Sequence, residues 1–541
     1  MLSLFICFRK INEMLLVLLA LATAIFCYWK IIYLHSYWRR RGVTQSKPVF
    51  LFGDIWPMVV RRYSAPELVD QFYKIDQNAR YCGVYQFLLP GLVVRDPELI
   101  KQITVKDFDH FVDRRVFVKE DVDPVFGKSL LSLDGEKWRN MRSALSPVFT
   151  SSKMKYMFPS ISTCGEEFAH YFLKQNKDLL ELEMKESITK FTNDVIANTV
   201  FGFTCNSLEN PNNEFYKMGD EVGNMTSMRT RIVFLMNTLA PKILSFFKIS
   251  LFSPRVYTFF RQVIAENISS RKKHGITRPD MIDLLVKAKN NSLKNEESDD
   301  LPEAGFATVT VTENGKKNKK YQITDEDITA QALLFFFAGF DSVAGVISYM
   351  CYELAVAQDV QAKLRKEVDE TRERCDGKIS YEELMKMKYM HMAVSETLRK
   401  WPTAIASDRV CVKPYTIQPK LPNEKPLHLK VGDTVNIPIY AIQRDPQYFP
   451  EPDRFIPERF SEENKSKIIQ YTYMPFGTGP RSCIGYRFAL LEMKILMFHL
   501  ISNFEIVPVE KTQIPIRFNR KAVNMSAEKG FWVGLKRRVN A

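Results

Sequence analysis

The chain has no Cys-x-x-Cys pair, no internal repeat, no low-complexity tract and no Gly/Ser linker. Its nine cysteines (Cys7, Cys27, Cys82, Cys164, Cys205, Cys351, Cys375, Cys411 and Cys483) are scattered and odd in number. That pattern argues against a zinc site and a disulfide framework, and it suits a reducing compartment. Basic blocks and nucleic-acid recognition motifs are also missing. The net charge of +14 is spread along the chain, which fits anionic lipid or an acidic protein partner and gives no support to nucleic acid. With nothing to divide them, most of the 541 residues read as one large folded unit.

The long hydrophobic run stands near the start. Met14–Trp29 carries no charge, and Lys30 is the only one up to Leu34. At about 1.5 Å per residue this stretch is long enough to cross a bilayer. Tyr28, Trp29, Tyr33, Tyr37 and Trp38 form an aromatic belt in this reading, and Arg39-Arg40-Arg41 places the body on the cytosolic side. A cleaved signal peptide is the competing reading, since Ala20-Leu21-Ala22 and Ala22-Thr23-Ala24 are small-x-small. Cleavage there would leave the greasy terminus Ile25-Phe26-Cys27-Tyr28-Trp29. The division is therefore residues 1–41 as anchor and basic flank and 42–541 as body. In a cytosolic body the sequons at Asn224, Asn267, Asn290, Asn464 and Asn524 stay unmodified.

Along the body, Ala65–Ala79 has a helical pattern, and Val84–Leu88 with Leu92–Val94 reads as a hairpin around Pro90-Gly91. Trp138 and Arg142 lie one turn apart on a helix face. From Met154 to His274 the chain reads as successive amphipathic helices, with Phe234–Phe260 read as core, and an apolar channel wall or a second surface dipping into the membrane as the alternatives. Lys289–Tyr321, broken by Pro302, Gly305 and Gly315, reads as an exposed loop with solvated lysines at 316, 317, 319 and 320. Thr324-Asp325-Glu326-Asp327 is a capping box opening a long apolar helix, to about Gln358. Inside it, Ala338-Gly339 offers a groove, and Asp341-Ser342 sets an acid beside a hydroxyl, costly there unless hydrogen-bonded. Back-bonding of Ser342 to the carbonyl four residues earlier is the plain structural alternative.

The stretch with most chemical content is Phe476-Gly477-Thr478-Gly479-Pro480-Arg481-Ser482-Cys483-Ile484-Gly485. Phe488, Leu491, Ile495 and Phe498 follow at helical spacing, so Cys483 stands at or just before a helix N-terminus, where orphan N–H groups favour a thiolate. Gly477 and Gly479 allow close backbone approach to a flat ligand. A lone cysteine is more often buried and inert, but the residues around this one change the reading.

Phe476, Gly479, Arg481, Cys483 and Gly485 resemble the haem-binding signature of the cytochrome P450 family. Further strings agree in order. Trp138 and Arg142 match its WxxxR helix, Ala338–Ser342 its oxygen-activating segment with Ser342 in place of threonine, and Glu396 with Arg399 its ExxR. Pro457-Glu458-Arg459-Phe460 matches PERF, and Arg409 stands at a propionate-pairing position. Ile442-Gln443-Arg444-Asp445-Pro446 departs from the usual His-Arg-Asp-Pro at Gln443. The strings 408–415 and 530–533 look most like insect microsomal members of the detoxification type.

The resemblance implies a mainly α fold with a smaller β region and haem b between two long helices, behind an N-terminal transmembrane helix. It implies Cys483 as iron ligand, and Phe476, Gly479, Trp138, Arg142, Arg409 and Arg481 around the haem. Glu396, Arg399 and Arg459 would form a buried ionic lock, and Asp341 with Ser342 would relay protons. The implied activity is NADPH-dependent monooxygenation of small apolar substrates such as insecticides, plant toxins, lipids or hormones. Electrons would come through an FAD/FMN reductase, with cytochrome b5 as a second partner, at the endoplasmic reticulum membrane. A basic face including Lys137, Arg139 and Lys494 would steer the reductase. Phe335, Phe336 and Thr403–Ser407 would line the pocket. A haem-thiolate isomerase or dehydratase, and a non-enzymatic haem carrier, remain open at this point.

Overall fold

The computed structural model describes residues 2–115, 118–223, 228–239, 241–247, 249–278, 280–290, 322–522 and 524–538. The loop expected over Lys289–Tyr321, with its four lysines, lies almost wholly outside these.

The first helix, Leu2–Leu34, contains a 23-residue stretch from Asn12 to Leu34 that is apolar and long enough to cross a membrane; its most apolar part is unburied, and Ile31 near its end is buried against the body. The chain enters the core at once after it. Trp38 is fully buried, against Gly83, where a Cβ would come within 2.5 Å of the indole. Tyr37 donates a hydrogen bond to Asp433 at 2.5 Å, and Arg41 pairs with the same carboxylate at 2.9 Å. Tyr37 and Trp38 therefore fall outside the expected aromatic belt. Trp38 is a core residue, and composition alone does not separate the two roles.

Most of the body is helical, built around one large apolar core, with a second cluster at a four-stranded sheet. The body's axis is the helix Asp325–Val356, 32 residues or about 48 Å long. Thr324 and Asp327 close the expected capping box: the Thr324 N–H donates to Asp327 Oδ2 at 2.9 Å, and the Asp327 N–H to Thr324 Oγ1 at 3.1 Å. The helix Tyr486–Asn503 is also buried nearly all round, as a helix apolar on every face must be. The two pack together, with Met184–Ile196 and Lys388–Lys400 beside the long one.

A four-stranded sheet runs in the order Tyr81–Gln86, Leu89–Val94, Thr434–Ile437, Ser407–Val410. Its middle pair is parallel and its outer pairs are antiparallel. A second sheet sets Trp532–Arg537 between Leu179–Glu183 and Phe504–Val507. The hairpin turns at Phe87-Leu88, not at Pro90-Gly91: Pro90 pairs with Tyr85 inside the strand. Gly91 serves the neighbouring strand, since a Cβ there would meet the Asn436 side chain at 2.5 Å. The helix expected to Ala79 stops at Tyr73, and an Asp76–Asn78 side-chain turn follows. Phe234–Phe260 is only partly core. Leu244, Leu251, Phe252, Val256 and Phe260 are buried, whereas Phe246 and Phe247 are among the most exposed apolar side chains described.

Candidate functional site

Cys483 lies three residues before the first helical residue, Tyr486. Its N–H donates to the Phe476 carbonyl at 2.9 Å, closing the loop on itself. The side chain is accessible, yet protein crowds it so closely that burial pushes the thiol pKa up. An accessible atom in crowded surroundings faces an internal cavity. The helix N-terminus does not by itself secure the thiolate expected there: the Gly485 N–H, Arg142 and Arg114 all favour it, but desolvation outweighs them. A bound metal reverses this, because a coordinating thiol loses its proton.

The loop glycines act differently from the sequence reading. Gly477 and Gly479 both have left-handed backbone, at φ +75° and +72°. A Cβ on Gly479 would lie 2.0 Å from the Thr104 carbonyl oxygen, so its close approach is to the turn of π-helix at Gln102–Lys106 and not to a ligand.

Four arginines surround the loop. Arg481 donates to the Val112 and Leu133 carbonyls at 2.8 and 2.9 Å, and its guanidinium covers the Trp138 ring at 4.0 Å. Arg142 donates to the Ser482 carbonyl at 3.0 Å, and Arg114 to the Arg481 carbonyl at 2.8 Å. Arg409 is fully buried and donates to the Thr478 carbonyl at 3.0 Å. Among the described residues, Arg114, Arg142 and Arg409 form no ion pair, and the Nε atoms of Arg114 and Arg409 are buried without a partner. Burial, with repulsion from Arg114, depresses three of these cations: Arg142 falls to about 10, Arg481 to about 9, and Arg409 well below its usual value. Buried cations without anions fit a ligand that carries carboxylates. Haem, with an iron for the sulfur and propionates for the arginines, matches this donor set.

On the long helix, Ala338 is accessible in a stretch that is otherwise largely covered. The Ser342 hydroxyl donates to the Ala338 carbonyl at 2.5 Å. Asp341 looks elsewhere: it pairs with Lys185 at 2.7 Å and accepts from Asn524 at 3.1 Å. Gly339 packs on Ile196 of the neighbouring helix, so the groove is Ala338's alone.

Below the loop, Glu396 binds the Arg399 Nε at 2.7 Å and the Arg459 Nε at 3.3 Å, with Glu396 and Arg399 both fully buried. Gln443 ties this group to the cysteine loop. Its amide donates to the Leu398 and Arg399 carbonyls at 3.0 and 2.9 Å and accepts from the Met474 N–H at 2.8 Å.

The sequence model of the cytochrome P450 family matches residues 82–533. The chain belongs to this family. It is 44% identical over 521 residues to cytochrome P450 9e2 of Blattella germanica, covering 94% of this chain and 95% of the relative. It is 38% identical over 535 residues to probable cytochrome P450 9f2 of Drosophila melanogaster, covering 96% and 98%. Cytochrome P450 6k1 of Blattella germanica is 35% identical over 518 residues, 96% of each chain.

In this P450 the fold brings Cys483, Phe476, Gly479, Arg481, Trp138, Arg142 and Arg409 to one place, and Glu396, Arg399 and Arg459 to another. Asp341 and Ser342, though adjacent, point in different directions. Phe336 is fully buried in an aromatic cluster with Phe201, Phe215, Phe260 and Phe340, so it lines no pocket; Phe335 stays partly exposed against Phe149. Thr403, Ala404 and Ala406 are accessible. Lys494 is 1% exposed and cannot belong to a basic face; Lys137 and Arg139 are paired with Glu120 and Asp109. Sequence reading missed Arg114, whose one signal was its place in Asp113-Arg114-Arg115. It also found no role for Gln443.

Proposed function

We propose that this P450 is a membrane-anchored haem-thiolate monooxygenase. It inserts one oxygen atom from O2 into small apolar substrates, taking electrons from NADPH through an FAD/FMN reductase, with cytochrome b5 as a second donor. The endoplasmic reticulum is its proposed site, held there by the helix up to Leu34. The observation that carries this is the accessible Cys483 in a loop contacted by Arg114, Arg142 and Arg409, which form no ion pair among the described residues, and by Arg481, which Asp113 and Asp134 balance at 3.6 and 3.9 Å. Cys483 would bind the iron, and Arg114, Arg142, Arg409 and Arg481 would hold the propionates, with Trp138 fixing Arg481. When bound, the thiolate-ligated haem supplies the capacity to reduce and cleave dioxygen.

The protein's own part is proton control and exclusion of water. Ser342 Oγ carries a proton at the cavity edge, parked on the Ala338 carbonyl. Asp341 holds a carboxylate one residue away, kept from Ser342 by Lys185 and Asn524. For a proton to pass from Asp341 Oδ to Ser342 Oγ, the carboxylate must first leave Lys185 and take up a proton from water. Ser342 lacks the methyl that fixes a threonine rotamer, so we propose that part of the reducing power leaks as peroxide. These groups serve oxygen chemistry, which an isomerase or a haem carrier does not perform.

The test is spectral, then catalytic. The reduced protein under carbon monoxide should show the strongly red-shifted band of thiolate-ligated haem. With reductase, apolar substrates should be hydroxylated only when NADPH is present. Absence of the band removes the thiolate, and product without NADPH removes the monooxygenase.

A further inference from the structure

The helix proposed as the anchor does not swing free of the body; its last turns are docked on it. Ile31 is buried, and the Tyr28 ring lies 5.5 Å from that of Phe50. His35 Nε2 donates to the Phe87 carbonyl at 3.0 Å, and the Gln45 amide donates to the His35 carbonyl at 2.8 Å. With Trp38 buried and Tyr37 and Arg41 both on Asp433, no free hinge separates the helix from the core.

Docking brings one piece of the body alongside the helix. It is the turn at residues 49–53, closed by two hydrogen bonds: the Val49 N–H donates to the Gly53 carbonyl at 3.0 Å, and the Gly53 N–H to the Val49 carbonyl at 2.7 Å. Gly53 seats the turn on the four-stranded sheet, since a Cβ there would lie 2.5 Å from the Tyr85 carbonyl oxygen and 2.6 Å from that of Phe87. Val49, Phe50 and Leu51 are 41, 44 and 46% exposed. Leu51 also has left-handed backbone, at φ +65°, which a bulky side chain rarely adopts. Glycine or asparagine would hold the same turn at less cost. In water the strain and the three exposed apolar side chains would both count against folding. In lipid the side chains carry no penalty.

A groove of about 570 Å³ runs between this turn and the helix. Ala24, Cys27, Tyr28 and Ile31 line one side and Phe50 and Leu51 the other; among the described residues no charged one lines it. Its volume lies within the roughly 300–1,000 Å³ of small-molecule sites. Its depth decides what fills it. Ile31 and Ala24 stand three and ten residues before Leu34, where the apolar span ends. That places the groove about 5 to 15 Å into a hydrocarbon layer roughly 30 Å thick, at the level of acyl chains. Arg39 and Arg40, exposed just past the span, supply cations at the level of phosphate headgroups.

We propose that this groove is a lipid site, taking one acyl chain of a membrane phospholipid between the anchor helix and the 49–53 turn. The bound lipid fills the joint, so protein and lipid together hold the body against the bilayer. The proposal rests on the membrane-anchor reading and is independent of the haem.

The full chain would be reconstituted in nanodiscs of phosphatidylcholine carrying a diazirine near the end of one acyl chain, irradiated, and mapped by peptide mass spectrometry. Adducts should fall on residues 49–53 as well as on the helix. Native mass spectrometry from detergent should find one phosphatidylcholine retained per chain. Ala24→Trp fills the groove from the helix side. It should abolish the adducts on 49–53 and the retained lipid, while membrane fractionation and the carbon monoxide band stay as in the wild type. Leu51→Asn keeps the left-handed turn, removes the apolar tip, and should lose the retained lipid as well. Adducts on the helix alone, lipid still retained in Ala24→Trp, or a lipid-free dimer in the same spectrum would overturn the site, the last giving the groove to a second copy. Absence of the wild-type chain from the membrane fraction would instead overturn the anchor reading, and lipid retention in detergent would still judge the groove.

Discussion

Lys185 holds Asp341 at 2.7 Å, so the acid proposed to supply protons is an ion-pair partner before it is anything else. Both groups are about a quarter exposed, and such a pair is worth little to stability. Its importance lies in where it keeps the carboxylate. Asp341→Asn should preserve the carbon monoxide band and azole affinity while slowing product formation by about a hundredfold, the scale of a lost general acid. Single-turnover kinetics with reductase check this, and full activity would remove Asp341 from the mechanism.

Ser342→Thr should lower the peroxide released per NADPH consumed, because the added methyl restricts the hydroxyl to fewer rotamers. Parallel assays of peroxide, NADPH and product measure it. An unchanged ratio means the back-bond to Ala338 is the whole role of the serine.

The lock beneath the cysteine loop should be intolerant of partial removal. Arg399→Ala leaves Glu396 buried with Arg459 alone, at a cost of about 3–5 kcal/mol. The expected product is protein without haem, read from the ratio of Soret to aromatic absorbance. Gln443→Leu should cost less, about 1–3 kcal/mol, by stranding the Met474 N–H and weakening the Leu398 and Arg399 carbonyls. It should loosen haem retention without abolishing folding.

Acid should destabilise the fold through buried histidines. Burial pulls His391 down to about 3 and His499 to about 4, the latter helped by His170. A histidine with a folded pKa below its unfolded value of about 6.5 contributes fully above pH 6.5 and loses that contribution as pH falls toward the folded value. Each should cost about 1.4 kcal/mol per pH unit over that range. Asp134, pushed up to about 6 by burial and Asp113, works in the opposite direction between roughly pH 6 and 4, but its side chain is 43% exposed and offsets little. Denaturant unfolding from pH 7 to 5 should show falling stability, with a shallower slope in His391→Asn and His499→Asn.

Trimming the N-terminus should separate anchoring from folding. A chain beginning at His35 should leave the membrane fraction and remain folded. One beginning at Val43 also loses Trp38, and a buried tryptophan is worth about 3–5 kcal/mol. Fractionation followed by unfolding curves distinguishes them.

How far the sequence reached depended on the kind of contact. The cysteine loop, the capping box at Thr324 and the ExxR pair are local patterns, and the structure shows them where the spacing put them. The orientation of Phe335, Phe336 and Phe337 was not legible, since a helix apolar on all sides has no periodicity to assign its faces. Arg114 acts through a partner 367 residues away in the chain and Gln443 through partners 31 to 45 residues away, and no local spacing reports that. Gly479 was recognised as special, but a glycine gives the same signal whether it makes room for a ligand or for another backbone.

That last contact reaches beyond the loop itself. With the Thr104 oxygen occupying the space a methyl would need, the stretch around residues 102–106 acts as an anvil against which the sulfur-bearing turn is seated. Redesigning the elevation of the sulfur would then begin at Thr104, a residue with no chemistry of its own, because the two backbones can only be displaced as a pair.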